Sequence, residues 1–448
     1  MDMKKLFATI IALTSFATPL SVMASTQVFM ANSTEANLGN GFSNFDYGIG
    51  GAGSTLGSTD VGSLFPVAGT LSNLTFYVPI QPGGSATRTG TLRKNSTNTT
   101  MTCTIAAGSN SCTDSTNSIS FAVGDDAKFR ESFTGTPAAS NGSWSFVFTP
   151  TVPNDTVFFS TAAGSSAYGW RALNIGGAGL STIKTGRFSI ELVMPEAGTL
   201  DQLQASTTNI VSGSYLISAW QNSATSTLQC TVQSPDLDHC GDTSNSLSVA
   251  IGDLFQLGQA PASPGANFKG GFGTRFVPAT AGNFDLLAGA AGAHWANAGT
   301  TGYLQISSAR FISNPYTTEA STTAAIAAAS TFTSMTIERS AAPGSGKNAT
   351  YTLRVNGADS ALTCTLTGTG TGDGKTTKTC TGNVSVQAGD LINWSETLGS
   401  GGTVGGTRIG LVAQATVAAA NTTPSRHMRL FQGFKIKIIG GKLKLLQN

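Results

Sequence analysis

The chain has 448 residues, about three times the usual domain length, so more than one domain is expected. Only 11% of residues are charged, 54 are glycine, and Ser and Thr make up about a quarter of the chain, which excludes a coiled coil, a charged disordered tail and a helical solenoid. The glycines have no period of three, so collagen is excluded, and a net charge of +2 gives no reason to expect a nucleic-acid partner.

The first segment reads as a secretory signal over residues 1–24. Lys4 and Lys5 supply a positive start, Leu6 to Leu13 is apolar apart from Thr9, and Val22-Met23-Ala24 offers small residues for cleavage. Thr14, Ser15, Thr18, Pro19 and Ser21 interrupt the apolar run, which is too short to anchor the chain in a bilayer. No later stretch is long enough to span one, so the expected location is secreted or on the extracellular surface, with no transmembrane segment after cleavage.

Six cysteines follow as three local pairs: Cys103 with Cys112, Cys230 with Cys240, and Cys364 with Cys380. An even count in an exported chain favours disulfides, and none of the spacings suits a zinc chelate. Three hairpin-type disulfides are expected, each worth about 2.5–3 kcal/mol through the loop it closes.

The cysteines mark an internal repeat. Met101-Thr102-Cys103-Thr104-Ile105, Leu228-Gln229-Cys230-Thr231-Val232 and Leu362-Thr363-Cys364-Thr365-Leu366 alternate apolar and polar, which puts each cysteine on the buried face of a strand. A strand precedes each of these, clearest where Tyr351, Leu353 and Val355 point inward while Thr352, Arg354 and Asn356 face water. After the second cysteine the copies realign and end on Gly124-Asp125, Gly252-Asp253 and Gly389-Asp390, pairs suited to a turn. Ala68-Gly69-Thr70-Leu71 matches Ala197-Gly198-Thr199-Leu200, with Ala329-Ser330-Thr331-Phe332 a degraded version, while Thr322 to Ala329 reads as irregular. Trp144 to Phe148, Thr274 to Val277 and Thr407 to Val412 close the copies.

The expected fold is therefore all-β: three tandem β-sandwich, jelly-roll-like modules over residues 25–153, 154–282 and 283–423, each with one local disulfide, set in a row. Periodicity leaves sandwich and jelly-roll strand orders both open. A basic β-hairpin tail occupies residues 424–448. It carries Arg426, Arg429, Lys435, Lys437, Lys442 and Lys444, and Gly440-Gly441 forms its turn. Taking away these six, with Lys4, Lys5 and Asp2, leaves 17 basic and 22 acidic residues, so the modules are mildly acidic. The tail reads either as a last hairpin with lysines guarding its edge or as an attachment element.

Chemistry is sparse in the sequence. The three histidines, His239, His294 and His427, lie near no Gly-x-Ser-x-Gly elbow, and acidic pairs such as Asp125-Asp126 or Asp236 and Asp238 read as turn formers rather than as a glycosidase pair. Two phosphate-loop imitations, at Gly374-Lys375-Thr376 and Gly346-Lys347, fail the spacing. No catalytic residue, cofactor or metal ligand is assigned, and an enzyme is not expected. Large aromatics more often fill cores than bind ligands, but Trp170 and Trp295 fall at comparable places in two modules and are candidate glycan contacts.

The tandem modules resemble those of secreted bacterial surface proteins and, more distantly, phage tail proteins. The expectation is an exported, non-enzymatic structural or adhesive protein that assembles by strand addition into a fibre or layer. Its expected partners are further copies of itself or a cell-surface glycan. The alternatives are a secreted glycan-binding protein and, more weakly, a polysaccharide-active enzyme or a tail-like structural protein.

Overall fold

The computed structural model describes residues 26–33, 38, 44–52, 62–163, 171–173, 180–182, 191–207, 214–233, 239–261, 269–291, 297–306, 309–311, 318–368, 376–416, 434–439 and 442–447. The signal segment, Trp170, Trp295, Arg426, Arg429, His294, His427, Asp236 and Asp238 lie outside these residues.

The first repeat contains β1 (Gln27–Asn32), β2 (Asn44–Gly48), β3 (Gly51–Ala52), β4 (Ser63–Leu64), β5 (Gly69–Tyr77), β6 (Thr87–Lys94), β7 (Thr97–Ile105), β8 (Ser111–Phe121), β9 (Asp126–Thr134) and β10 (Ser143–Pro150). The second contains β11 (Thr156–Ala163), β12 (Arg171–Leu173), β13 (Leu180–Thr182), β14 (Leu192–Val193), β15 (Gly198–Thr207), β16 (Ser214–Gln221), β17 (Ala224–Gln233), β18 (His239–Val249), β19 (Leu254–Pro261) and β20 (Lys269–Pro278). The third contains β21 (Asn283–Ala291), β22 (Thr301–Leu304), β23 (Ala309–Phe311), β24 (Ala324–Ala325), β25 (Ser330–Arg339), β26 (Lys347–Val355), β27 (Ala358–Gly368), β28 (Thr376–Val386), β29 (Leu391–Leu398) and β30 (Thr407–Ala415).

Each repeat folds into two sheets. In the first, the order is β1-β10-β5-β8 in one sheet and β2-β9-β6-β7 in the other. The same orders recur as β11-β20-β15-β18 with β12-β19-β16-β17, and as β21-β30-β25-β28 with β22-β29-β26-β27. First and last strands pair. The chain crosses between sheets from β5 to β6 and at each step from β7 to β8, β9 and β10, with β6 and β7 a hairpin in one sheet, so the strand order is that of a jelly roll.

Local sequence explains the turns. Asn95-Ser96, Asn222-Ser223 and Asn356-Gly357 have positive φ at both positions, the two-residue turn that suits the right-handed twist of a hairpin. These turns join β6 to β7, β16 to β17 and β26 to β27. Each is pinned to a Gly-Asp turn: Asn95 Nδ2 donates to Asp125 at 2.6 Å, Asn222 to Asp253 at 2.8 Å and Asn356 to Asp390 at 2.8 Å. Gly124, Gly252 and Gly389 supply the positive φ of the second turn. Each aspartate also accepts a backbone N–H three residues before it, from Ala122, Ala250 and Gln387.

The alternation around the first cysteines holds, with Met101, Cys103 and Ile105 buried between exposed neighbours. On β26 one expectation needs correction: Thr352 does not face water. It is buried, with its hydroxyl 3.2 Å from that of Thr363, and Arg354 is only partly exposed because Glu319 covers it. The run from Thr322 is not wholly irregular either, since Ala324 and Ala325 pair with β29.

These short strands lock the repeats together. Cross-strand partners align the copies: Gln27, Thr156 and Phe284 stand opposite Phe148, Phe276 and Ala413, which in turn face Leu71, Leu200 and Phe332. In this frame Gly273, Gly410 and Ser145 are equivalent. The Leu64 carbonyl of β4 lies where a Cβ at Gly273 would stand, the Val193 carbonyl of β14 takes the same place at Gly410, and the Ala325 carbonyl of β24 accepts the Ser145 hydroxyl at 2.7 Å. The first repeat thus docks on the second, the second on the third, and the third on the first.

A row, suggested by the tandem order, is therefore not what forms. The docking is head-to-tail and closes after three copies, as a heterologous interface does when its rotation completes a circle. The cores record the same exchange. Val28, Met30 and Val147 join the third core, Val157 and Phe159 join the first, and Leu287 joins the second. β1 is consequently buried along its whole length, with Phe29 and Ala31 turned to its own core.

The residues from Thr416 form a separate unit containing β31 (Phe434–Ile439) and β32 (Lys442–Gln447), paired antiparallel. Their register sets Lys435 opposite Leu446, Ile436 opposite Leu445 and Lys437 opposite Lys444.

Candidate functional site

Each disulfide forms as paired in the sequence, with Cα–Cα separations of 5.7, 5.7 and 5.5 Å. Their setting differs from a hairpin. β7 and β8 are edge strands of opposite sheets, so Cys103–Cys112 joins the two layers of the sandwich at its open side, and Cys230–Cys240 and Cys364–Cys380 do the same. The spacing alone shows a short loop; only the jelly-roll crossing makes that loop an arch between sheets. Replacing Cys364 and Cys380 together by alanine is expected to remove about 3 kcal/mol, read as a lower denaturation midpoint of the full chain. An unchanged midpoint would show that the closed ring already restrains these strands.

Opposite the cysteine strands lies a buried acid. Glu131 on β9 and Glu396 on β29 occupy equivalent positions, facing Gly90 and Tyr351, while Gln259 takes this place opposite Ile217 in the second repeat. Arg88 meets Glu131 at 2.6 Å and donates to the Ala138 carbonyl. Arg339 meets Glu396 at 3.1 Å and donates to the Thr403 carbonyl, although it arrives from β25 rather than β6. Tyr351 also donates to Glu396 at 2.8 Å, and burial beside that carboxylate pushes its hydroxyl well above the usual tyrosine range. Burial likewise raises Glu131, against the pull of Arg88. All four charged side chains are at most 1% exposed, so these pairs tie loops to the sandwich interior.

The outer faces carry threonine. Hydroxyls pair across strands at 2.9 Å between Thr89 and Thr104, 3.0 Å between Thr91 and Thr102, and 3.1 Å between Thr350 and Thr365. β-Branched residues facing one another suit a pleated surface, which accounts for much of the threonine excess. Of the acidic residues read as turn formers, Asp125 closes a turn by accepting the Ala122 N–H, Asp126 opens β9, and Asp236 and Asp238 lie outside the described residues. Burial raises Asp114, but bonds from Asn117, Thr102 and Thr116 outweigh it and hold the carboxyl at about 2. Asp126 accepts the Gly62 N–H at 2.8 Å.

The junctions were not visible in the sequence as sites. The first-to-second junction is aromatic and amide-rich: Phe65 lies 5.0 Å from Phe159 between ring centroids, and the Gln27 side chain donates to Val157 O and accepts from Val157 N. The second-to-third junction is polar. Arg408 contacts Glu338 and lies 4.0 Å from Glu191, and Asn283 donates to Glu196 at 2.8 Å. Unbroken apolar runs such as Val28-Phe29-Met30-Ala31 and Val157-Phe158-Phe159 fit strands covered on both faces but carry no sign of what covers them.

Trp144 and Trp394 fill cores, as expected of large aromatics, with Trp144 stacked on Phe129 at 4.4 Å. Trp220 is partly exposed, and its indole donates to Ser218. Among the described residues no helix is long and apolar enough to cross a membrane. The three disulfides point to an oxidising compartment. No family model and no curated protein matches the chain.

Proposed function

We propose that this is an exported, non-enzymatic structural or adhesive protein whose three jelly rolls form one braced head, with the basic hairpin as its attachment element. The observation that supports this most directly is the repetition of the layer-joining disulfide at the same edge of all three repeats. Covalent bracing at an open sandwich edge serves a molecule that must stay folded outside the cell, and low charge with threonine-covered faces is consistent with that exterior.

Ring closure alters the assembly part of the reading. The surfaces that would propagate a fibre through module docking are already occupied within the chain, so further assembly falls to sheet edges or to the tail. In the tail, Lys437 stands directly opposite Lys444, a like-charge pair that an anionic surface would relieve. Expressing the full chain and a form lacking residues 416–448 in an exporting host tests the proposal. The full chain is expected on the cell surface with its thiols oxidised, and the shortened form in the medium. Full-length protein retained inside with free thiols overturns the exported reading; equal surface retention of both forms overturns the tail's role.

A further inference from the structure

The aligned repeats differ at one buried place. Asp285 on β21 is equivalent to Val157 on β11 and Val28 on β1. Four residues before Phe332, Leu200 and Leu71 stand Ala328, Glu196 and Val67. Two junctions therefore offer apolar residues at both positions, and the second-to-third junction offers two carboxyls, with Asp285 2% and Glu196 7% exposed.

Neither oxygen of Asp285 finds an N–H or O–H donor from the other described residues, and one oxygen of Glu196 is in the same state. The remaining Glu196 oxygen takes the Asn283 amide, itself held by Gln414 at 2.9 Å. The two carboxyls are within hydrogen-bonding reach of each other. Two carboxylates are both acceptors, so that contact is filled only when one carries a proton. We propose that the junction between the second and third repeats is a pH-sensitive joint, closed by a proton shared between Glu196 and Asp285 and loosened when that proton leaves.

Among the described residues, the surroundings leave the proton as the available neutraliser. On the strand beside it, Asp285 faces Val412, and β1 contributes no titratable residue. Arg408 sits four residues along β30 from Val412 and is engaged with Glu338 and Glu191. Burial raises Asp285 far above the usual carboxylate range, with Glu196 adding to the effect, so the pair as a whole favours holding one proton. Burial raises Glu196 as well, against the Asn283 bond. For acids raised on folding, the contribution is fully present below the unfolded value near 4 and is lost as pH climbs toward the folded one. The joint is tightest in acid.

The test compares unfolding equilibria of the full chain, the Asp285→Val variant and the Asp285→Asn variant from about pH 4 to pH 8. The native chain is expected to lose up to about tenfold in its folding constant per pH unit relative to either variant, the slope of one proton. If both variants fail to fold, infrared spectra of the native chain with labelled aspartate decide, since a protonated carboxyl band at neutral pH is expected. Equal slopes in all three chains, or absence of that band, overturns the proposal. So does a change in native stability on adding calcium or a chelator that Asp285→Asn abolishes, because a cation would then be the neutraliser.

Discussion

Replacing Gly273 with alanine is expected to open the ring between the first and second repeats, at a cost of about 3 kcal/mol. The added Cβ would stand 1.9 Å from the Leu64 carbonyl oxygen, and Pro66 Cδ would lie 2.9 Å away. Both belong to the docked segment of the neighbouring repeat, and a carbonyl has no rotamer to turn aside, so the segment must lift. Small-angle scattering would show a larger radius of gyration and calorimetry an earlier transition. Unchanged scattering and melting would mean that the repeats are not held by this contact. The same change at Gly410, where the Val193 carbonyl lies 2.5 Å from the Cβ position, should release the second repeat from the third.

Arg88→Met is expected to destabilise the first repeat by about 3–5 kcal/mol, because Glu131 is left charged and buried without its partner. The pair lies 2.6 Å apart with neither side chain exposed to solvent. Adding Glu131→Leu to Arg88→Met is expected to restore most of the loss, since a buried pair exchanged for apolar residues of similar size is often nearly neutral. Denaturant midpoints of the single and double variants measure both effects. A single variant that costs little would show that water reaches Glu131, and a double variant as weak as the single would make packing, not charge, the cause.

Strands with one wet face were legible. Met101-Thr102-Cys103-Thr104-Ile105 alternates because its outer face meets solvent, and the same pattern at Cys230 and Cys364 revealed the repeat. The pairing of each cysteine was likewise written in its spacing. Strands with no wet face were hidden. Val157-Phe158-Phe159 has no period because one side serves its own core and the other the first repeat's, so nothing in the pattern distinguishes a docking strand from an ordinary apolar run. Asp285 shows the limit most sharply. In the sequence it is one aspartate near a turn; its burial appears only when the second repeat is laid over it. The order of strands within each sandwich was illegible for a related reason, since periodicity describes a strand's faces and carries nothing about its neighbours.

Because all three jelly rolls belong to one polypeptide, their circle does not come apart on dilution. Each docking partner is tethered at high effective concentration, and the stoichiometry is set by translation rather than by mass action. A ring of identical subunits must keep every contact the same. A fused one is released from that symmetry, and each joint can acquire its own chemistry while the other two keep the particle whole.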